Sequence, residues 1–68
     1  MAELINVDII STKRKEKGFP QSKVAEILNL DQSSISNIER GKKELTLTEA
    51  IKLAETLDFN LSDLIRKN

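Results

Sequence analysis

Four polar side chains recur on one side of a short segment, about 32–40, that has the length of a helix. They are Gln32, Ser33, Ser36 and Asn37. A Gln or Asn amide can bond adenine N6 and N7 together, and a serine hydroxyl can bond several bases. The segment is therefore a candidate reader of base edges, although ordinary solvent-facing residues would show the same pattern.

Several other chemistries are excluded by composition. The 68 residues include no cysteine and no histidine, so disulfides, thiolate or imidazole metal ligands and the usual general base are missing. Asp31, Glu39, Ser33 and Ser34 form no recognisable acid–base or nucleophile set. We therefore expect no enzyme, no metal and no cofactor. The chain is long enough for one domain, 1–68, and we expect a cytoplasmic protein because it has neither a signal peptide nor a membrane-length apolar run.

Charge is sorted along the chain although the net charge is zero. Residues 11–43 carry eight basic and four acidic side chains, and the acids predominate on either side. This distribution permits contact with phosphates without a basic isoelectric point. A lysine-rich surface is also a common solvated face, and Lys13, Lys15 and Lys17 fit that reading better.

The apolar periodicity predicts five helices joined by short turns. The expected positions are 7–17, 21–28, 32–40, a fourth helix between Thr46 and Asp58, and a short last helix after Asn60. Asn6, Asp31, Thr46 and Asn60 are the predicted N-terminal caps, and Gly18, Asn29, Gly41 and Asp58 the predicted stops. Each helix after the first is preceded by an apolar residue matched five positions on, the spacing of a hydrophobic staple. The fold class predicted is all-α, a compact five-helix bundle.

The expected core comes from the inward positions of these helices. It includes Val7, Ile10, Val24, Ala25, Ile27, Leu28, Leu30, Ile35, Ile38, Leu47, Ala50, Ile51, Ala54 and Leu57, with Leu53 widening the apolar side of the fourth helix and Leu61, Leu64 and Ile65 as the apolar residues of the last. Arg14 shares the inward side of the first helix and needs a partner there. Glu39 is the predicted partner, and two separate surface charges are the alternative. For residues 1–5 a flexible arm, a frayed start and a contact strand all stay open.

The chain resembles the Cro/C1-type helix-turn-helix family, also called XRE-like or lambda repressor-like, over about 7–66. The resemblance is carried by Gln21, Val24–Ala25, Ile27–Leu30, Ile35–Ser36 and Ile38–Gly41, followed by Leu47, Leu53–Ala54, Leu57, Leu61 and Leu64. It departs at Pro20, where the family usually has a Ser or Thr cap, and at Asn29, where Gly is favoured. The resemblance implies a helix-turn-helix formed by helices 2 and 3, a DNA-binding regulator of transcription and a homodimer.

The residue roles that follow from such a module are specific. Helix 3 enters the major groove, so Gln32, Ser33, Ser36 and Asn37 are expected to read bases in double-stranded DNA. Phosphate contacts are expected from Gln21, Ser22, Arg40, Lys42 and Lys43, and Gln21 is also expected to brace Gln32. Two subunits would read two-fold related half-sites.

Two questions stay open at this point. Phe59, Leu61 and Ile65 either close the core or expose a dimer surface. The competing function is an antitoxin-like or scaffold module that uses the same fold to hold another protein, since a fold does not decide a function. The acid-poor segment 32–40 with lysines beside it favours DNA.

Overall fold

The computed structural model describes the backbone of residues 4–66, in which four α-helices surround one apolar core. These are α1 (Asp8–Glu16), α2 (Gln21–Leu28), α3 (Gln32–Glu39) and α4 (Leu47–Leu57). A single turn of 3₁₀ helix, Leu61–Leu64, follows. Strands β1 (Leu4–Ile5) and β2 (Ile65–Arg66) pair antiparallel, with Leu4 opposite Arg66 and Ile5 opposite Ile65.

The helix boundaries follow from local chemistry at their ends. Asp31 caps α3 by accepting from the Ser34 amide at 3.1 Å. Thr46 and Glu49 form a reciprocal capping box on α4, with bonds of 3.0 and 3.1 Å. Asn29 ends α2 in the left-handed region at φ 60°, where an asparagine costs less than most side chains. These three predicted boundaries are confirmed.

The core is built from one side of each helix. Ile10, Val24, Ala25, Leu28, Ile35, Ile38, Ala50, Leu53, Leu57 and Leu64 are buried, and Ile9, Phe19, Leu30, Leu45 and Phe59 pack against them. Most members were predicted. Ile27, Leu47 and Ile51 were expected in the core as well, but they are 45%, 71% and 41% exposed. The prediction was wrong there because each short helix meets its neighbours over a stripe narrower than its apolar face.

The two ends of the chain differ most from the prediction. The expected fifth helix is a 3₁₀ turn that passes directly into β2, so the described residues form four α-helices and not five. The predicted all-α class holds apart from the short pair of two-residue strands. Of the three alternatives left open for residues 1–5, the contact strand is the one found at Leu4–Ile5, which pairs with Ile65–Arg66; residues 1–3 lie outside the described part. The first helix begins at Asp8 with Val7 at the cap position, not after an Asn6 cap. The Asn6 amide instead donates to the carbonyl of Leu64, which continues the link between the two ends.

Candidate nucleic-acid interface

The helix α3 is held to the core by its inner side chains and leaves its outer side open. Ile35 and Ile38 are each 1% exposed. On the other side Gln32 and Ser33 are exposed, and Ser36 and Asn37 are half-buried. The four predicted reading residues therefore lie outside the core, on a helix whose position two buried isoleucines determine.

The helix start carries a negative charge that the local geometry stabilises. Asp31 Oδ1 accepts from Ser34 Oγ at 2.6 Å and from the Ser34 amide. The side-chain bond from Ser34, followed by the backbone bond, lowers the pKa of Asp31 below its ordinary value of 3.8. The carboxylate therefore stays ionised at neutral pH and accepts a hydrogen bond from the Ser34 amide in the first turn of α3.

An ion pair joins α1 to α3 beneath the outer surface. Arg14 Nε lies 2.7 Å from Glu39 Oε2, and Arg14 Nη2 donates to Glu39 Oε1 at 3.2 Å. The two side chains are only 11% and 7% exposed. Arg14 Nη1 also donates to the carbonyl of Phe19 at 2.9 Å. The two residues that the sequence pattern paired are therefore in direct contact, in a bidentate geometry that fixes both side chains.

Gln21 belongs to the same network. Its Nε2 donates to Glu39 Oε1 at 3.0 Å, so the side chain ties the start of α2 to the end of α3. The sequence pattern suggested a phosphate contact and a brace on Gln32; the bond to Glu39 was not expected. Because a carboxylate only accepts, the bond leaves Gln21 with one free amide hydrogen and its carbonyl oxygen.

The start of α2 has no side-chain cap. Pro20 occupies the cap position at φ −73° and ψ 161° and makes no side-chain bond to the first turn. A helix start leaves its first amides without intrahelical partners, and at α3 a carboxylate meets that need. At α2 the cap residue Pro20 offers no such acceptor. The amides of Gln21 and Ser22 are therefore available to an anion, which a helix N-terminus favours.

The segment after α3 places three basic residues in succession around Gly41, which is in the left-handed region at φ 72°. Arg40 and Lys42 are exposed. Lys43 lies 3.9 Å from Glu49 Oε2, so part of its charge is balanced by the capping residue of α4. The three basic residues predicted to contact phosphates therefore differ in how much of their charge is already balanced within the chain.

Two contacts near this surface escaped the sequence analysis. Arg40 Nη2 donates to Asn37 Oδ1 at 3.0 Å, and Lys23 Nζ lies 4.7 Å from the centroid of the Phe19 ring. The spacing of three residues between Asn37 and Arg40 is that of neighbours on a helix surface, which was the available signal for the first contact; Phe19 precedes α2, so no such signal existed for the second. Among the described residues, no group of three His, Cys, Asp or Glu side chains is placed to hold a metal ion. Nor does any helix in that part of the chain have the length and apolarity to cross a bilayer.

The arrangement of α2 and α3 can be compared with known proteins. A family model described as helix-turn-helix matches residues 10–64, which is most of the chain. The chain belongs to the Cro/C1-type helix-turn-helix family. The resemblance drawn from the residues of α2, α3 and α4 is thus confirmed.

Two relatives have the same sequence identity to this chain. A protein of Thermococcus kodakarensis named as an HTH-type transcriptional regulatory protein is 31% identical over 61 residues, 90% of this chain and 19% of its own. Antitoxin HipB of Escherichia coli is 31% identical over 55 residues, 81% of this chain and 62% of its own. The chain thus spans less than two thirds of each of these relatives.

Solved structures extend the similarity to the whole helical arrangement. The restriction-modification controller protein C.AhdI from Aeromonas hydrophila is 31% identical with a TM-score of 0.75, covering 85% of this chain and 84% of that one. The biofilm regulator SinR, solved in complex with DNA, is 30% identical with the same TM-score, covering 85% and 94%.

Proposed function

We propose that this helix-turn-helix protein is a sequence-specific regulator of transcription, a small repressor or controller that binds double-stranded DNA in the cytoplasm. The observation that carries the proposal is the outer side of α3. It presents amide and hydroxyl groups with Ile35 and Ile38 buried behind them. A rigid helix with short polar side chains suits base reading, because the major groove admits one helix and is read by hydrogen bonds.

Base reading falls to the residues at the start and middle of α3. Gln32 and Ser33 occupy the first turn, which points toward the bases in such modules. Ser36 and Asn37 follow one turn later on the same side. The ion pair of Arg14 and Glu39 supports this role by holding the end of α3 to α1.

Phosphate contacts would set the register of α3 in the groove. The uncapped start of α2 offers amides to a phosphate, and Gln21 and Ser22 lie there. Beyond α3, Arg40, Lys42 and Lys43 are exposed. Such contacts orient a protein on the duplex without specifying sequence. Because the net charge is zero, we expect weak binding to random DNA.

Two copies would act together on two-fold related half-sites. Leu61 and Ile65 are 40% and 38% exposed and line an open cleft of about 280 Å³ together with the 71% exposed Leu47. Contiguous exposed apolar residues of this kind are typical of an interface. Phe59 contributes less than the sequence suggested, because it is partly buried against the core. A dimer through this cleft would be isologous and two-fold symmetric, which is the symmetry that two related half-sites require.

The second candidate is an antitoxin-like protein that binds DNA or a partner protein with the same fold. It is favoured by the similarity to HipB, which is named an antitoxin. On that reading the cleft beside Leu61 would hold a different protein. The neighbouring gene and the composition of a purified complex distinguish the two candidates.

The test is a selection of bound fragments from a random duplex pool, followed by stoichiometry on the winning sequence. We expect an enriched site with two related halves and two protein chains per site. An asymmetric site saturated by one chain would contradict the dimer, and a pool without enrichment would contradict the function. For Gln32→Ala we expect a loss of ~1–3 kcal/mol on the enriched site and little change on random duplex. Equal losses on both would remove Gln32 from the readers.

A further inference from the structure

The hydrogen bond between Arg40 and Asn37 bears on which base the protein selects. Arg40 Nη2 donates to Asn37 Oδ1 at 3.0 Å, across one turn at the end of α3. A guanidinium has donors only, so the atom of Asn37 that faces Arg40 must be the oxygen. The orientation of the Asn37 amide is thereby assigned, with both hydrogens of Nδ2 directed away from Arg40.

The backbone holds this pair in place. The carbonyl of Asn37 accepts from the amides of Lys42 at 2.8 Å and Lys43 at 3.3 Å. These bonds close the end of α3 and keep the chain beyond Arg40 folded against Asn37. Asn37 is half-buried and Arg40 exposed, so the pair has an anchored member and a member that reaches outward.

We propose that Arg40 turns Asn37 into a reader that offers mainly donors, so that the pair selects guanine over adenine at its base position. This inference rests on the proposed function. A free asparagine bonds adenine by using its oxygen for N6 and its nitrogen for N7. In this pair Arg40 takes one of the two lone pairs of Oδ1 and sets a positive charge beside it. The hydrogens still available on Asn37 Nδ2 and on the guanidinium of Arg40 make the pair richer in donors than in acceptors. Guanine offers two acceptors, O6 and N7, to these donors, whereas adenine offers one acceptor, N7, and its N6 amino group is itself a donor.

Arg40 is on this account a specificity-determining residue and more than a phosphate contact. The two roles predict different effects of substitution. An exposed bond between helix neighbours adds little to stability, so Arg40→Ala should fold normally and release Asn37 Oδ1. A released amide can turn and accept adenine. Lys42→Ala is the matched control, since it removes one exposed positive charge two residues away and leaves the side chain of Asn37 paired.

The experiment repeats the selection from a random duplex pool with the wild-type chain, Asn37→Ala, Arg40→Ala and Lys42→Ala, each shown to be folded by circular dichroism. The base-pair position at which Asn37→Ala no longer shows the wild-type base preference is the one that Asn37 reads. There we expect the wild type to favour guanine over adenine about tenfold, within the usual range for one specific base contact. Arg40→Ala should bring the two bases within about twofold. Lys42→Ala should keep the tenfold ratio while binding more weakly to all sequences.

A second measurement uses the enriched duplex with 7-deazaguanine, which lacks the N7 acceptor, at that position. We expect the wild type to lose affinity several-fold more than Arg40→Ala does. The inference is overturned if the wild type favours adenine there, if Asn37→Ala changes no position, or if Arg40→Ala keeps the guanine preference as Lys42→Ala does. Those results leave the proposed function standing. A pool that yields no enriched sequence with the wild type overturns the proposed function, and this inference with it.

Discussion

Removing the carboxylate of Glu39 tests how α3 is held in place. Glu39 accepts two bonds from Arg14 and one from Gln21, and the side chains of the ion pair are 7% and 11% exposed. In Glu39→Ala the guanidinium keeps its bond to the carbonyl of Phe19 but loses its counter-charge. Breaking a buried pair from one side costs about 3–5 kcal/mol. Because Arg14 is near enough to the surface to regain some water, we expect the lower end, ~3 kcal/mol.

That loss is large for a domain of this size. Sixty-eight residues correspond to a total free energy of unfolding of about 3–10 kcal/mol. The expected fall in Tm is about 12–24 °C, since 1 kcal/mol shifts a domain of 60–100 residues by about 4–8 °C. The chain has no tryptophan or tyrosine, so urea and thermal unfolding are best followed by circular dichroism at the helix band.

Glu16→Ala is the matched control. Glu16 also pairs with a basic residue, Lys13, at 3.5 Å, but these side chains are 60% and 34% exposed. An exposed pair of this kind contributes ~0–1 kcal/mol, so the control should unfold nearly as the wild type does. Replacing both buried partners, in Arg14→Met with Glu39→Leu, should cost less than Glu39→Ala alone, because no charge is left unpaired. If Glu39→Ala and Glu16→Ala destabilise equally, the ion pair does not hold α3 and the reasoning is refuted.

Three further predictions concern the helix starts and the cleft. Thr46→Ala removes one half of the capping box on α4 and should lower the free energy of unfolding by ~1 kcal/mol; an unchanged urea midpoint would mean that the cap is redundant. Folding lowers the pKa of Asp31, so the ionised carboxylate adds to the free energy of unfolding. That stabilisation is fully present above the ordinary pKa of the group and is lost as the pH falls through the lower pKa of the folded state. In Asp31→Asn, which still caps but does not titrate, Tm should fall less than in the wild type as pH drops from about 5 to 2; parallel curves would show that Asp31 is not the titrating group. Leu61→Lys should raise the dimer dissociation constant, measured by sedimentation equilibrium, at least tenfold. The control is Ile27→Lys, which is similarly exposed on α2 but lies outside the cleft and should leave that constant unchanged. Equal effects of the two substitutions would place the dimer surface elsewhere.

The helix boundaries could be predicted because they depend on groups a few residues apart. Asp31 and Thr46 each bond an amide three positions on, and Gly18 and Asn29 take the positive φ expected of them. The pairing of Arg14 with Glu39 was also within reach, since an arginine on an inward position requires a counter-charge. The family, and through it the outward side of α3, follows from the same local pattern.

The errors share a different cause. An apolar side chain at the edge of a helix stripe is buried only if a neighbouring element covers it, and for Ile27, Leu47 and Ile51 none of the described elements does so. The end of the chain likewise depends on its start, because Ile65 pairs with Ile5 and an extended partner draws the backbone out of the expected helix. The bond from Gln21 to Glu39 joins residues 18 positions apart. The sequence alone thus determined the helices, their ends and the four polar side chains on the outer side of α3, through interactions within one or two turns. Only the tertiary structure decided which apolar residues stay exposed, how the ends pair, and that Gln21 bonds Glu39, because these depend on contacts between distant segments.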